Sequence, residues 1–219
     1  MRSIRIFCAL VVVISCHADT LISTVGSWNG SNEADFFSNT NTTGSPVVGE
    51  TITVPTNGDS VLSYFTLTLD DTHAAYSIPF LAVVQAWDAI NGATGSPLFT
   101  SSSTTLLNGQ FNGYTFYPNL SLTAGDSYVL LFESQSSPNP TYEPFADIAS
   151  DVYPQGAYVY EDFGNTWYTS TNSDLVFSAD FTSQLEVPEP SLPWLLLTGL
   201  AALIAVRADW RALTARVRP

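Results

Sequence analysis

Val61-Leu62-Ser63-Tyr64-Phe65-Thr66-Leu67-Thr68-Leu69 is the stretch that settles the fold class. Apolar side chains recur at every second position, with Phe65, Leu67 and Leu69 on one face and Tyr64, Thr66 and Thr68 on the other. A period of two belongs to a strand buried on one side. Leu175, Phe177, Ala179 and Phe181 repeat the scheme further on. Around these two stretches, β-rich runs bounded by turn residues recur at 51–54, 78–87, 97–100, 114–117, 128–133 and 157–160. Asn57-Gly58-Asp59, Asn91-Gly92 and Ala124-Gly125-Asp126 supply turns between them, and the body shows no helical stripe. Antiparallel strands that each bury one face are satisfied best by two packed sheets, so the expected fold is an all-β, jelly-roll-like antiparallel β-sandwich.

Outward from this body the composition changes at both ends. The chain has 219 residues and a formal charge of -14, and its six basic residues all lie at the extremities: Arg2, Arg5, Arg207, Arg211, Arg216 and Arg218. A body from Asp19 to Glu186 without Lys or Arg repels nucleic acid and anionic membrane surfaces, because binding either requires neutralising phosphates. Cations, neutral sugars and basic partners remain open. Cys8 and Cys16 both precede the body, which therefore has neither a disulfide nor a cysteine-based metal site.

Residues 1–18 read as a signal peptide: Arg2 and Arg5 form the charged start, 6–14 the apolar stretch, and Cys16-His17-Ala18 a small-x-small site with cleavage before Asp19. Val13-Ile14-Ser15-Cys16 also resembles a bacterial lipobox, in which Cys16 is lipidated instead. Residues 19–49, rich in Ser, Thr, Asn and Gly, read as a polar lead-in, with the sandwich over 50–183. Residues 184–191 form a linker, and 192–219 a transmembrane sorting helix with a basic tail. The uncharged run 192–206 spans roughly 22 Å at about 1.5 Å per residue, short of a hydrocarbon core of about 30 Å. Residues 208–213 and snorkelling arginines must make up the rest, with the basic end inside.

Pro188-Glu189-Pro190, followed by the apolar run and terminal arginines, resembles the PEP-CTERM sorting signal of Gram-negative bacteria. The resemblance covers 187–219 and implies recognition of Pro188, Glu189 and Pro190 by an exosortase-type processing enzyme in cells that make extracellular polysaccharide. Two prolines keep such a motif extended. The arginines here are spread out, with Trp210 and Leu213 between them, where the family has a tight cluster. The body is similar to β-rich ectodomains found ahead of such tails, through Val84-Gln85-Ala86-Trp87-Asp88 with residues 93–99, residues 122–132, residues 153–160, and Trp167 on through 174–181. That likeness implies a sandwich and no particular activity.

Catalytic chemistry is sparse. Nucleophilic catalysis needs a base beside a Ser or Cys, and the body offers only His73, next to Asp70 and Asp71. Glycoside hydrolysis needs two carboxylates at a set separation, which sequence does not measure. Oxygen ligands suit Ca2+, and Asp70, Asp71, Glu161 and Asp162 are the candidate ligands; no other cofactor is expected. Aromatic rings stack on the C–H faces of sugars, and Trp87, Tyr153, Trp167 and Tyr168 are the candidate ligand-binding residues, with Trp167 and Tyr168 in an apparent loop after Gly164-Asn165.

The expected protein is non-enzymatic and exported, held in the inner membrane before processing and then placed at the cell surface or in the extracellular matrix, in contact with exopolysaccharide. A carbohydrate- or calcium-binding lectin-like module is the first alternative, and a glycan hydrolase the second.

Overall fold

The alternation in 61–69 is realised in the longest strand. The structure, a computed structural model, describes residues 18–37, 47–70, 79–105, 111–135, 143–148, 150–162 and 166–183. The predicted signal peptide up to 17, the Pro188-Glu189-Pro190 motif, the apolar tail, His73 and Asp71 lie outside the described residues. The strands in chain order are β1 (Thr20–Ser23), β2 (Glu33–Phe37), β3 (Val47–Thr53), β4 (Asp59–Asp70), β5 (Pro79–Asp88), β6 (Gly92–Thr100), β7 (Thr104–Thr105) and β8 (Phe111–Phe116). They continue with β9 (Leu120–Ser121), β10 (Ser127–Ser134), β11 (Glu143–Ile148), β12 (Tyr158–Glu161), β13 (Trp167–Ser170), β14 (Asp174–Leu175) and β15 (Phe177–Ser183). A single turn of 3-10 helix at Val25–Ser27 is the helical element among the described residues.

The protein is all-β, with two antiparallel sheets packed as in a β-sandwich. The eight-stranded sheet runs β1-β15-β4-β11-β14, with β2 on β11 and both β8 and β9 on β4. The seven-stranded sheet runs β13-β12-β3-β10-β5-β6, with β7 on β5. Between them Phe65, Leu67, Leu69, Phe177, Ala179 and Phe181 of the first sheet meet Ile52, Phe80, Val84, Leu130 and Phe132 of the second, all buried in one core. The aromatic rings interlock: Phe80 lies 4.7 Å from Phe132, and Tyr114 meets Phe80 edge-on at 5.2 Å. Such pairs add to the area they bury.

Residues 19–49, read from composition as a polar lead-in, carry β1, β2 and the start of β3. β1 completes the first sheet by pairing with β15, Thr20 opposite Phe181 and Ser23 opposite Ser178. Its hold includes the Thr20 hydroxyl, which donates to Asp59 Oδ2 at 2.6 Å.

The seven-stranded sheet curls on itself. Trp167, on edge strand β13, meets Trp87 of β5 edge-on at 5.3 Å and 89°. Its indole fills the space a Cβ would need on Gly92, in the opposite edge strand β6, whose φ is +77. In a flat sheet those two edges stand five strand spacings apart, about 24 Å. At Gly49 of β3 the neighbouring strand comes so close that a Cβ would strike the Leu130 carbonyl and the Leu131 side chain of β10. Inside the curl, on the side away from the main core, Val83, Val129, Leu131 and Val159 form a second buried cluster capped by Trp87 and Trp167.

Candidate functional site

Consecutive residues of a strand point to opposite faces, and β13 therefore separates two of the predicted aromatics. Trp167 turns into the curl against Trp87. Tyr168, opposite Tyr160 in the β12–β13 pair, points the other way and stacks on that ring at 4.9 Å and 14°. Tyr160 in turn lies 5.6 Å from Tyr158, whose residue is buried in the main core. These three rings form a row that climbs from the core to the surface, where Tyr168 is 41 % exposed. The Tyr168 hydroxyl donates to Asp162 Oδ2 at 3.2 Å, and that bond raises its pKa above the ordinary phenol value. Asp162 is itself held, accepting the Thr166 N–H at Oδ1 at 3.0 Å.

Tyr153 belongs elsewhere. Its ring packs 5.7 Å from Phe177, and its hydroxyl accepts the Thr53 N–H at 3.1 Å. The four predicted aromatics thus divide into the Trp87–Trp167 corner, the surface ring of Tyr168, and a half-buried Tyr153 that ties loop to strand.

The predicted calcium ligands are also dispersed. Asp70 closes β4, while Glu161 closes β12 of the other sheet and Asp162 follows it. Glu161 and Glu133 both register with Val47 of the strand between them, from β12 and β10. Burial raises the pKa of each carboxyl, and for Glu161 the charges of Glu133 and Asp162 raise it further. Among the described residues no group of three or more His, Cys, Asp or Glu is arranged to hold a metal ion.

Sequence reasoning passed over the most unusual acids. Glu50 lies between Val48 and Ile52 on β3 and shares their inward face, so its carboxyl enters the main core with 0 % exposure. Oε2 accepts the Leu175 N–H of β14 at 2.9 Å, bridging the two sheets, and Oε1 has no hydrogen-bond partner among the described residues. Burial holds the Glu50 carboxyl well above the usual range; the Leu175 N–H pulls it back, while Asp174 and Asp151 push it up. Asp174, 1 % exposed, accepts the N–H groups of Val152 at 2.7 Å and Tyr153 at 2.8 Å through Oδ2. These acids organise backbone inside the fold; the group that combines exposure with fixed orientation is the Tyr160–Tyr168–Asp162 shelf.

No protein-family model matches the chain, and no curated protein matches it.

Proposed function

We propose that the protein is a non-enzymatic component of the bacterial envelope or extracellular matrix. It is exported by its signal peptide, sorted through Pro188, Glu189 and Pro190 by an exosortase-type enzyme, and placed in contact with exopolysaccharide. The jelly-roll-like sandwich serves in this reading as a stable display body. The observation that carries the glycan contact is the Tyr168 ring, exposed at 41 % yet fixed by the stack on Tyr160 and the bond to Asp162. A ring already held in place loses little freedom when a sugar stacks on it. The missing Lys and Arg of residues 19–186 favour neutral ligands over anionic ones.

The same shelf supports the lectin-like reading, in which binding is selective and tight. A glycan array separates the two: selective binding lost in Tyr168→Ala makes the protein a lectin, whereas weak contact with many glycans makes it a matrix component. Sorting is tested by Pro188→Ala combined with Pro190→Ala, which leaves unprocessed protein in the inner membrane. An unchanged mature mass and location would remove the sorting pathway from the proposal.

A further inference from the structure

The outer face of the eight-stranded sheet, which Tyr168 does not share, holds a second polar surface. Thr66 of β4 registers with Thr115 of β8 on one side and with Ser178 of β15 on the other, and Ser178 registers with Ser23 of β1. Hydroxyl residues thus occupy one row across four neighbouring strands, about 14 Å from end to end at the normal strand spacing. Thr66 and Thr115 share a hydrogen bond of 2.7 Å, which fixes the β8 end of the row.

Aromatic rings flank this row along the strand direction, on its β4 and β8 side. Tyr64 and Tyr117 lie 6.0 Å apart on the same face, and Tyr117 is 68 % exposed. At the start of β8, Trp28 packs edge-on against Phe111 at 4.9 Å. Six residues of extended chain separate Phe111 from Tyr117, about 20 Å. Between them Gly113 carries no side chain and keeps the floor low beside Thr66.

We propose that this face binds one strand of a neutral polysaccharide. Sugar rings offer the two kinds of surface that the strip complements: C–H faces for the electron-rich faces of Tyr64 and Tyr117, and hydroxyls for the Thr and Ser row. Charge excludes the anionic counterpart, because Asp180 borders the row, opposite Tyr64 in the pairing of β15 with β4, and residues 19–186 hold no Lys or Arg to offset it. The inference rests on the reading of the protein as glycan-associated and adds a second contact face, on the other sheet from Tyr168.

The full chain in mild detergent is run in affinity electrophoresis through gels containing a soluble β-1,3-glucan, hydroxyethyl cellulose or dextran, with alginate as the acidic comparison. At least one neutral chain retards the protein. Tyr117→Ala, at an exposed position, weakens that retardation about tenfold, equivalent to about 1.4 kcal/mol. Thr66→Val with Thr115→Val weakens it similarly at unchanged melting temperature, and Ile90→Ala, 91 % exposed in the turn between β5 and β6, leaves it intact. Should the double variant unfold, Tyr117→Ala decides alone. Retardation that survives Tyr117→Ala but is lost in Tyr168→Ala overturns this face and leaves glycan association standing. Retardation by alginate alone, or by none of the polymers, overturns the proposal, as does a Tyr117→Ala effect confined to self-association. Failure of the parent reading shows separately, as protein from the native host that does not fractionate with surface or matrix material.

Discussion

Glu50→Gln is the substitution that tests the interior most directly. Glutamine keeps the acceptor for the Leu175 N–H and nearly the same volume, and it has no proton to lose. In the unfolded chain a glutamate ionises with a pKa of about 4.3, whereas burial raises the folded value. The neutral carboxyl's contribution to stability is therefore complete below about pH 4.3 and is lost as pH climbs toward the folded pKa. Over that window wild-type stability falls by about 1.4 kcal/mol per pH unit. Keeping one carboxyl protonated at pH 7.0 costs at most about 3.7 kcal/mol, from 2.7 units at 1.36 kcal/mol each. The amide NH2 that replaces the unpartnered Oε1 costs about 1–3 kcal/mol.

The variant should accordingly be about 1–2 kcal/mol more stable than wild type at pH 7, a gain worth roughly 2–4 °C of Tm per kcal/mol. Near pH 4 the order should reverse. Urea unfolding followed by tryptophan fluorescence from pH 4 to 8 measures both curves. Asp174, Asp151 and Tyr153 face the same carboxyl but are present in both proteins, so the difference between the curves isolates Glu50. A difference that stays constant across the range would refute the reasoning, because it would mean that Glu50 titrates alike in the folded and unfolded chains.

The curled sheet, the Tyr168 shelf and the amino end of the body each give a further outcome or two. Trp167→Ala removes the indole that joins the edges of the curled sheet, and chemical unfolding should show a loss of about 3–5 kcal/mol; Gly92→Ala should also destabilise, through its positive φ and its collision with the same ring. Ultraviolet titration should find Tyr168 ionising above a normal tyrosine, and Asp162→Asn should return it toward normal by removing the charge that receives its proton. In a chain beginning at Asp19, the new α-ammonium sits on the residue whose carboxylate acts on Asp180 together with Asp59. Acetylating that amine should lower stability by no more than about 1 kcal/mol at pH 6 and leave it unchanged at pH 10, where the amine is uncharged, as thermal melts of the two forms would show.

The main core was legible because its strands alternate cleanly: Phe65, Leu67 and Leu69 on β4, and Phe177, Ala179 and Phe181 on β15, all face inward as the period of two requires. Glu50 was missed by a small displacement. Starting the strand at 51 put it outside, whereas Val48, Glu50 and Ile52 share one face once β3 begins at Val47. Tyr128-Val129-Leu130-Leu131-Phe132 carried the sign of the second cluster, since a strand apolar at every position is buried on both sides. What covers its far side depends on Trp167 reaching Gly92, a meeting of sheet edges that no local pattern encodes. β1 was hidden for the same reason: its four residues find their partners in β15, more than 150 positions away. Gly164-Asn165 made Trp167 and Tyr168 read as loop, and the strand they belong to is recognisable only from its pairing with β12.

The placement of β15 also determines how the body answers a mechanical load. This strand ends at Ser183, where the chain leaves the described fold, and it is hydrogen-bonded to β4 on one side and β1 on the other. A pull on Ser183 along the strand direction acts in shear, stressing both ladders together instead of peeling one bond at a time from a free edge. A molecule tethered by that end in flowing medium would yield only at forces that slide β15 out from between two neighbours.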